Sequence, residues 1–316
     1  MVVVVPPPQF NNRELGGPSF TLNQSDGYSA EILLYGGQVI SWKNARGEEL
    51  LFVSENADYE HPHPLRGGIP ICFPKFFDYG CVEGNGFART RDWVIDAELE
   101  DSDLPLLTAD NAFIDLILNH MPDDFPNWRR HRFELRLRVI LGPTGDLTMI
   151  SRVKNVNTNG RPFSFNFSFH TYFSVSNINA TQVDGLQSLV YLDYMTRNHR
   201  RCIEGDYPIT IENEFDRGYL NTSNEIFVVD HEIRRTFTIH KDDRLPDIVV
   251  WNPWALEARD TTDIGDEEYR KFICVEAAVV GSEITLYPGE KWTGTQRLSV
   301  HDWTDSDVLP DPGNIL

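Results

Sequence analysis

In the stretch FELRLRVIL, the residues Phe133, Leu135, Leu137, Val139 and Leu141 take every second position, with Glu134, Arg136 and Arg138 between them. A period of two puts one kind of residue on each face of an extended chain, and a helix of the same sequence would scatter them. A GPTGD turn follows, and a second strand pattern starts at Leu147, so the segment reads as a β-hairpin. The pattern returns in RPFSFNFSFHTYF. There Phe163, Phe165, Phe167 and Phe169 alternate with Ser164, Asn166, Ser168 and His170. One face is a wall of phenylalanine, and the other is polar and carries a histidine.

Other segments follow suit. SAEILLYGGQVISWKN reads as two strands about a Gly36-Gly37 turn, and RRTFTIHKD, PDIVVWNPW, KFICVEAAVV and SEITLYPGEKWTGTQRLSV add more. Helical candidates, at NADYEHPHP and TTDIGDEEYRK, are short. No fixed-period repeat and no linker divides the chain. The expectation is an all-β fold, a large antiparallel β-sandwich with few short helices. It would be one domain over 1–316, with peripheral tails at about 1–18 and 302–316. Such folds hold ligands on a concave sheet face or among loops.

The net charge is −20, from 48 Asp and Glu against 28 Lys and Arg. That balance argues against nucleic acid, which needs a basic footprint, and against anionic membranes. No apolar run is long enough to span a bilayer. The start, MVVVVPPPQF, has no basic leader and is broken by prolines, so a cytoplasmic protein is expected. Cys72, Cys81, Cys202 and Cys274 match no zinc or CxxC spacing and read as reduced thiols. His61 and His63 in HPHP are a weak metal signal, each followed by proline and with no third ligand nearby. P-loops, GxSxG elbows and GxGxxG units are absent.

A few residues invite chemistry. His170 either satisfies backbone groups or donates a proton, for which its pKa near neutrality suits it. Glu276 stands inside the apolar run FICVEAAVV. It is either tied to a cation or facing water at an edge, or it is a general base whose pKa burial has raised. Arg66 opens LRGGIPICFP, and Arg89 and Arg91 share EGNGFARTRDW. Each is an incidental loop arginine or part of a cationic cluster with Lys75, able to hold an oxyanion or sugar hydroxyls. Asp216, one acid among many, has no claim of its own.

Taken together, the blocks SAEILLYGGQVISWKNARGEELLFVS, LRGGIPICFPKF, GFARTRDWVID, FSFHTYFSVSNI, VVWNPW and CVEAAVVGSEITLYPGEKWTGTQRLSV resemble the aldose 1-epimerase (galactose mutarotase-like) superfamily. They are similar to its glucose-6-phosphate 1-epimerase branch, plant-type members in particular, and run in family order from about residue 29 to 300. The resemblance implies a β-sandwich with a sugar pocket on a sheet face. It implies His170 and Glu276 as the catalytic acid and base. It implies substrate contacts at Arg66, Arg89 and Asp216, the two arginines holding phosphate. The implied reaction interconverts the α and β anomers of D-glucose 6-phosphate by ring opening and closure, and needs no cofactor and no metal. The implied partner is a small sugar phosphate, and a monomer is expected.

Three positions depart from the branch. Its Gln-His pair before GFAR is Gly84 and Asn85 here, and the Gln of its CFPQF is Lys75. Losing such contacts removes hydrogen bonds of about 0.5–1.5 kcal/mol each. Lys75 and Asn85 therefore count as altered substrate-binding positions. They keep open a weakly active or inactive carbohydrate-binding or scaffold protein. A mutarotase of an unphosphorylated aldose is a third reading.

Overall fold

The computed structural model describes residues 6–12, 16–60, 62–75, 85–97, 107–119, 128, 131–196 and 198–303. His61, Cys81, Gly84 and nearly all of the acidic C-terminal stretch lie outside them.

The described chain is built from three antiparallel sheets. Gln9–Asn12, Pro18–Asn23, Ser29–Leu33 and Val39–Lys43 form a four-stranded meander. A second sheet runs in the order Arg200–Ile203, Val190–Asp193, Phe215–Tyr219, Asp247–Asn252, Phe272–Leu286, Phe163–Phe169 and Ile71–Cys72. Tyr172–Ser174 continues the line of Phe163–Phe169 along the Phe272–Leu286 strand. The third sheet contains the hairpin Phe133–Leu141 and Leu147–Asn155, with Lys291–Asp302 and Arg235–Lys241 beside it. The expected all-β sandwich is the fold observed.

The phenylalanine wall explains why the two large sheets meet. Phe165, Phe167 and Phe169 are fully buried. Trp292 of the third sheet packs on Phe165 and Phe167 at 5.7 and 5.0 Å between ring centroids. Phe237 of the third sheet meets Phe173 at 5.0 Å. Each buried aromatic removes on the order of 150–250 Å² from water, so this face drives the packing and leaves the opposite, polar face of the second sheet for a ligand.

Three details differ from the sequence reading. CVEAAVV and SEITL form a single strand, Phe272–Leu286, not two. Its pairing with Phe163–Phe169 slips between Phe165 and Phe167. Next to the slip, the amides of Val280 and Gly281 donate to Asp247 Oδ2 at 2.9 and 2.8 Å, so a buried carboxylate replaces the lost ladder partners. Second, the one α-helix among the described residues is Trp254–Asp260, just after VVWNP, where a strand alone was expected. Asn252 turns the chain there: its Oδ1 accepts from Trp254 N at 2.9 Å. Third, TTDIGDEEYRK supplies only a 3₁₀ turn, Glu268–Lys271, and the described part of NADYEHPHP is turn and loop. Among the described residues no helix is long and apolar enough to cross a membrane.

Candidate active site

The polar face of the second sheet gathers residues far apart in sequence. Phe169 pairs with Ala277, and Tyr172 pairs with Cys274. Continuing that register from either side sets His170 directly opposite Glu276. His170 Nδ1 lies 3.1 Å from Glu276 Oε1, with side chains 8% and 1% exposed. The ring is not turned to make a hydrogen bond of this approach: both imidazole nitrogens and Oε1 lack a hydrogen-bond partner. Ser168 Oγ donates to the other carboxylate oxygen, Oε2. Tyr172 stacks on the imidazole at 4.7 Å, and Trp251 meets its edge at 5.9 Å. Oriented buried groups without partners are costly, and they are what a ligand-binding face presents.

Electrostatics act on the pair in opposite senses. Burial pushes the Glu276 carboxyl well above the usual carboxylate range; Asp216 adds to the rise, while Ser168 and Arg89 oppose it. Burial pushes the His170 imidazole well below its ordinary value, and Arg89 and Arg66 push the same way. A protonated Glu276 with a neutral His170 holds one proton. A carboxylate with an imidazolium also holds one. The pair is therefore a one-proton reservoir whose charged tautomer needs only redistribution, and this arrangement suits an acid working beside a base.

Arg66 is placed by its glycines. A Cβ on Gly68 would stand 2.1 Å from Val39 O, and one on Gly67 would stand 2.4 Å from Val53 Cα. Both have positive φ, so the loop can press on the neighbouring strands only with glycine here. The Arg66 guanidinium donates from Nε and Nη2 to Asp263 at 3.1 Å each, and from Nη1 to Tyr172 Oη at 3.3 Å. Burial lowers its pKa, but Tyr172 and Asp263 outweigh that, and the net direction is up. The loop carrying Asp263 is fastened by Glu268, which accepts from Ser54 Oγ at 2.5 Å and from Gly265 N at 2.7 Å. Ser54 N in turn donates to Arg66 O at 3.1 Å.

Arg89, in the short 3₁₀ turn Ala88–Thr90, lies close enough to act on His170, Glu276, Cys72 and Tyr172 at once. Asp216 pairs with Trp251, which pairs with Cys274, so it shares the face two strands from Glu276. That is about 10 Å across the sheet. Burial, with Glu214 and Asp193 nearby, pushes its carboxyl up to about 8.

The sequence-predicted residues thus converge only in part. His170, Glu276, Arg66, Arg89 and Asp216 bear on one face. The Lys75 ammonium is instead paired with the Glu283 carboxylate, alongside the register slip. Asn85 is half-buried at positive φ, beside Gly86, whose missing Cβ lets the loop touch Phe73 O. Arg91 turns back to Thr90, donating to its carbonyl and hydroxyl at 2.9 and 2.8 Å. His63 approaches Asp58 at 4.0 Å and belongs to no metal-binding group among the described residues. Ser168, Tyr172, Trp251, Cys72 and Asp263 were not anticipated. Ser168 and Tyr172 sit two positions either side of His170, so the period of two was a usable signal for both. Nothing in the sequence links Asp263 to Arg66.

Residues 18–299 match the family model described as aldose 1-epimerase, and the chain belongs to that family. A protein of Cenchrus ciliaris named "Putative glucose-6-phosphate 1-epimerase" is 50% identical over 287 residues, 91% of this chain and 86% of its own. One of the same name from Escherichia coli (strain K12) is 28% identical over 252 residues, 79% of each chain. The crystal structure of "a putative mutarotase (YeaD)" from Salmonella typhimurium shares the fold, with a TM-score of 0.80, 23% identity and 96% of both chains covered.

Proposed function

We propose that this protein interconverts the anomers of a hexose 6-phosphate, with D-glucose 6-phosphate as its substrate. The observation that carries the reading is the buried His170–Glu276 pair, side by side on a polar sheet face with unpartnered proton-transfer atoms. Glu276 takes the proton of the C1 hydroxyl while His170 gives one to the ring oxygen. The C1–O5 bond breaks as the C1 carbonyl forms. After rotation about C1–C2, the two groups reverse roles and the ring closes on the other face of the aldehyde. Each turnover returns the pair to its starting proton count.

The phosphate assignment is supported by charge. Arg66 and Arg89 both act on His170, and Arg89 acts on Glu276 as well. A dianion is drawn to these arginines. The names of the relatives quoted above point the same way. Anomer exchange measured by NMR on glucose 6-phosphate and on galactose is the test. Exchange no faster than the spontaneous rate for both sugars overturns the enzyme reading. Exchange of galactose alone overturns the phosphate.

Two variants sharpen the assignment. Arg89→Ala lowers kcat/KM for glucose 6-phosphate about 10- to 30-fold, the loss of one charge-assisted contact of about 1.5–2 kcal/mol, and changes that for free glucose far less. Asp263→Asn leaves the Arg66 guanidinium less firmly held. It raises KM for the phosphate about three- to tenfold with kcat nearly unchanged, read from saturation curves of the same exchange.

A further inference from the structure

We infer that Cys72, His170 and Glu276 together form a site for a soft or borderline divalent cation such as Zn²⁺, and that filling it stops proton movement on this face. The three side chains offer Sγ, a ring nitrogen and a carboxylate oxygen, all within 4.8 Å of one another and all buried. No other such group of three occurs among the described residues. These are the donor types that zinc prefers.

Cys72 is brought there by the sheet. It pairs with Ser168, which lies two positions from His170 and so on the same face. Sugar chemistry assigns this thiol nothing to do. The ring nitrogens and Oε1 stand without hydrogen-bond partners, while Ser168 holds Oε2 and so steadies the carboxylate with Oε1 left over. Ligand atoms on a tetrahedral zinc lie about 3.3–3.8 Å apart, so the 3.1 Å Nδ1–Oε1 approach is already near that spacing. All three ligand atoms already lie within 4.8 Å of one another, so Sγ has at most about 1 Å to close. A thiolate, a carboxylate and a neutral imidazole balance the charge of a divalent ion. The buried complex is then neutral, which removes the main cost of placing an ion there. The thiol proton and the proton shared by the pair leave to solvent as the metal enters.

Metal binding stands on this geometry alone, and its inhibitory effect rests on the proton-transfer reading above. The test titrates the full chain with Co²⁺ and follows the near-ultraviolet thiolate-to-metal charge-transfer band. The band is expected in the wild type, displaced by one equivalent of Zn²⁺, lost in Cys72→Ser and Cys72→Ala, and kept in Cys202→Ser. A thermal melt of each variant confirms folding. Should neither Cys72 variant fold, Glu276→Gln is expected to weaken Co²⁺ binding by about tenfold or more, as removal of one anionic ligand requires. Absence of the band, its survival in a folded Cys72 variant, or unchanged affinity in Glu276→Gln overturns the site. In parallel, Zn²⁺ lowers anomer exchange by about tenfold or more and a chelator restores it, since an acid–base pair contributes about 10²–10⁴. A chain that shows the band but no metal-free exchange keeps the metal site and sinks the mutarotase reading.

Discussion

Glu276→Gln lowers catalysed anomer exchange of glucose 6-phosphate by about 10²–10⁴, the range expected when a general base is removed. The substitution keeps shape and the Ser168 contact but cannot accept the C1 proton. Its effect on stability runs the other way. Below about pH 4.5 the unfolded chain holds two protons on this pair and the folded chain one, so wild-type stability falls as pH drops there. Between the ordinary values of 4.5 and 6.5 both states hold one, and the pair contributes no slope. Above 6.5 the unfolded pair holds none while the folded pair keeps its proton, so stability falls again as pH rises. Glutamine removes that upper limb. Denaturant melts from pH 5 to 9 should therefore show Glu276→Gln gaining on the wild type as pH rises, while NMR exchange shows activity gone. Retained exchange would remove Glu276 from the mechanism. A wild-type advantage growing with pH would mean the carboxyl is ionised in the folded chain.

How much of this was legible beforehand depends on the distance over which a residue's role is decided. The phenylalanine alternation is a local property, and it correctly placed Phe163–Phe169 in a strand with one face to the core. It also put His170 on the polar side. What it does not contain is register. His170 and Glu276 are 106 positions apart, and their opposition depends on how two strands align. The family resemblance named both residues, whereas pattern alone left each with an ordinary structural explanation. Asp263 shows the limit, since a loop acid 197 positions from Arg66 becomes its partner only through tertiary packing. Trp254–Asp260 failed for a smaller reason. The strand pattern of PDIVVWNPW runs on through Asn252 and Pro253, and the turn that starts the helix shows only in the structure.

Asp216→Asn should stabilise the protein progressively between about pH 4 and pH 8 and by a constant amount above. Burial raises this carboxyl from 3.8 to about 8, with Glu214 and Asp193 adding to the rise. A raised folded pKa means the folded chain keeps a proton that the unfolded chain releases. The favourable contribution is complete below 3.8 and is lost as pH climbs through 8. Asparagine carries no such loss. Because the residue is only partly shielded from water, the plateau is about 1–3 kcal/mol, less than the full shift implies. Denaturant melts from pH 4 to 9 measure it, and a pH-independent difference would show that Asp216 is ionised throughout. The same variant should move the chemistry too. Where Asp216 is ionised, above about pH 8, it helps hold the Glu276 carboxyl high, so its neutral replacement makes Glu276 easier to ionise there. The acid limb of the exchange rate then shifts to lower pH even as substrate affinity weakens. A residue that only gripped the sugar would change affinity and leave that limb in place.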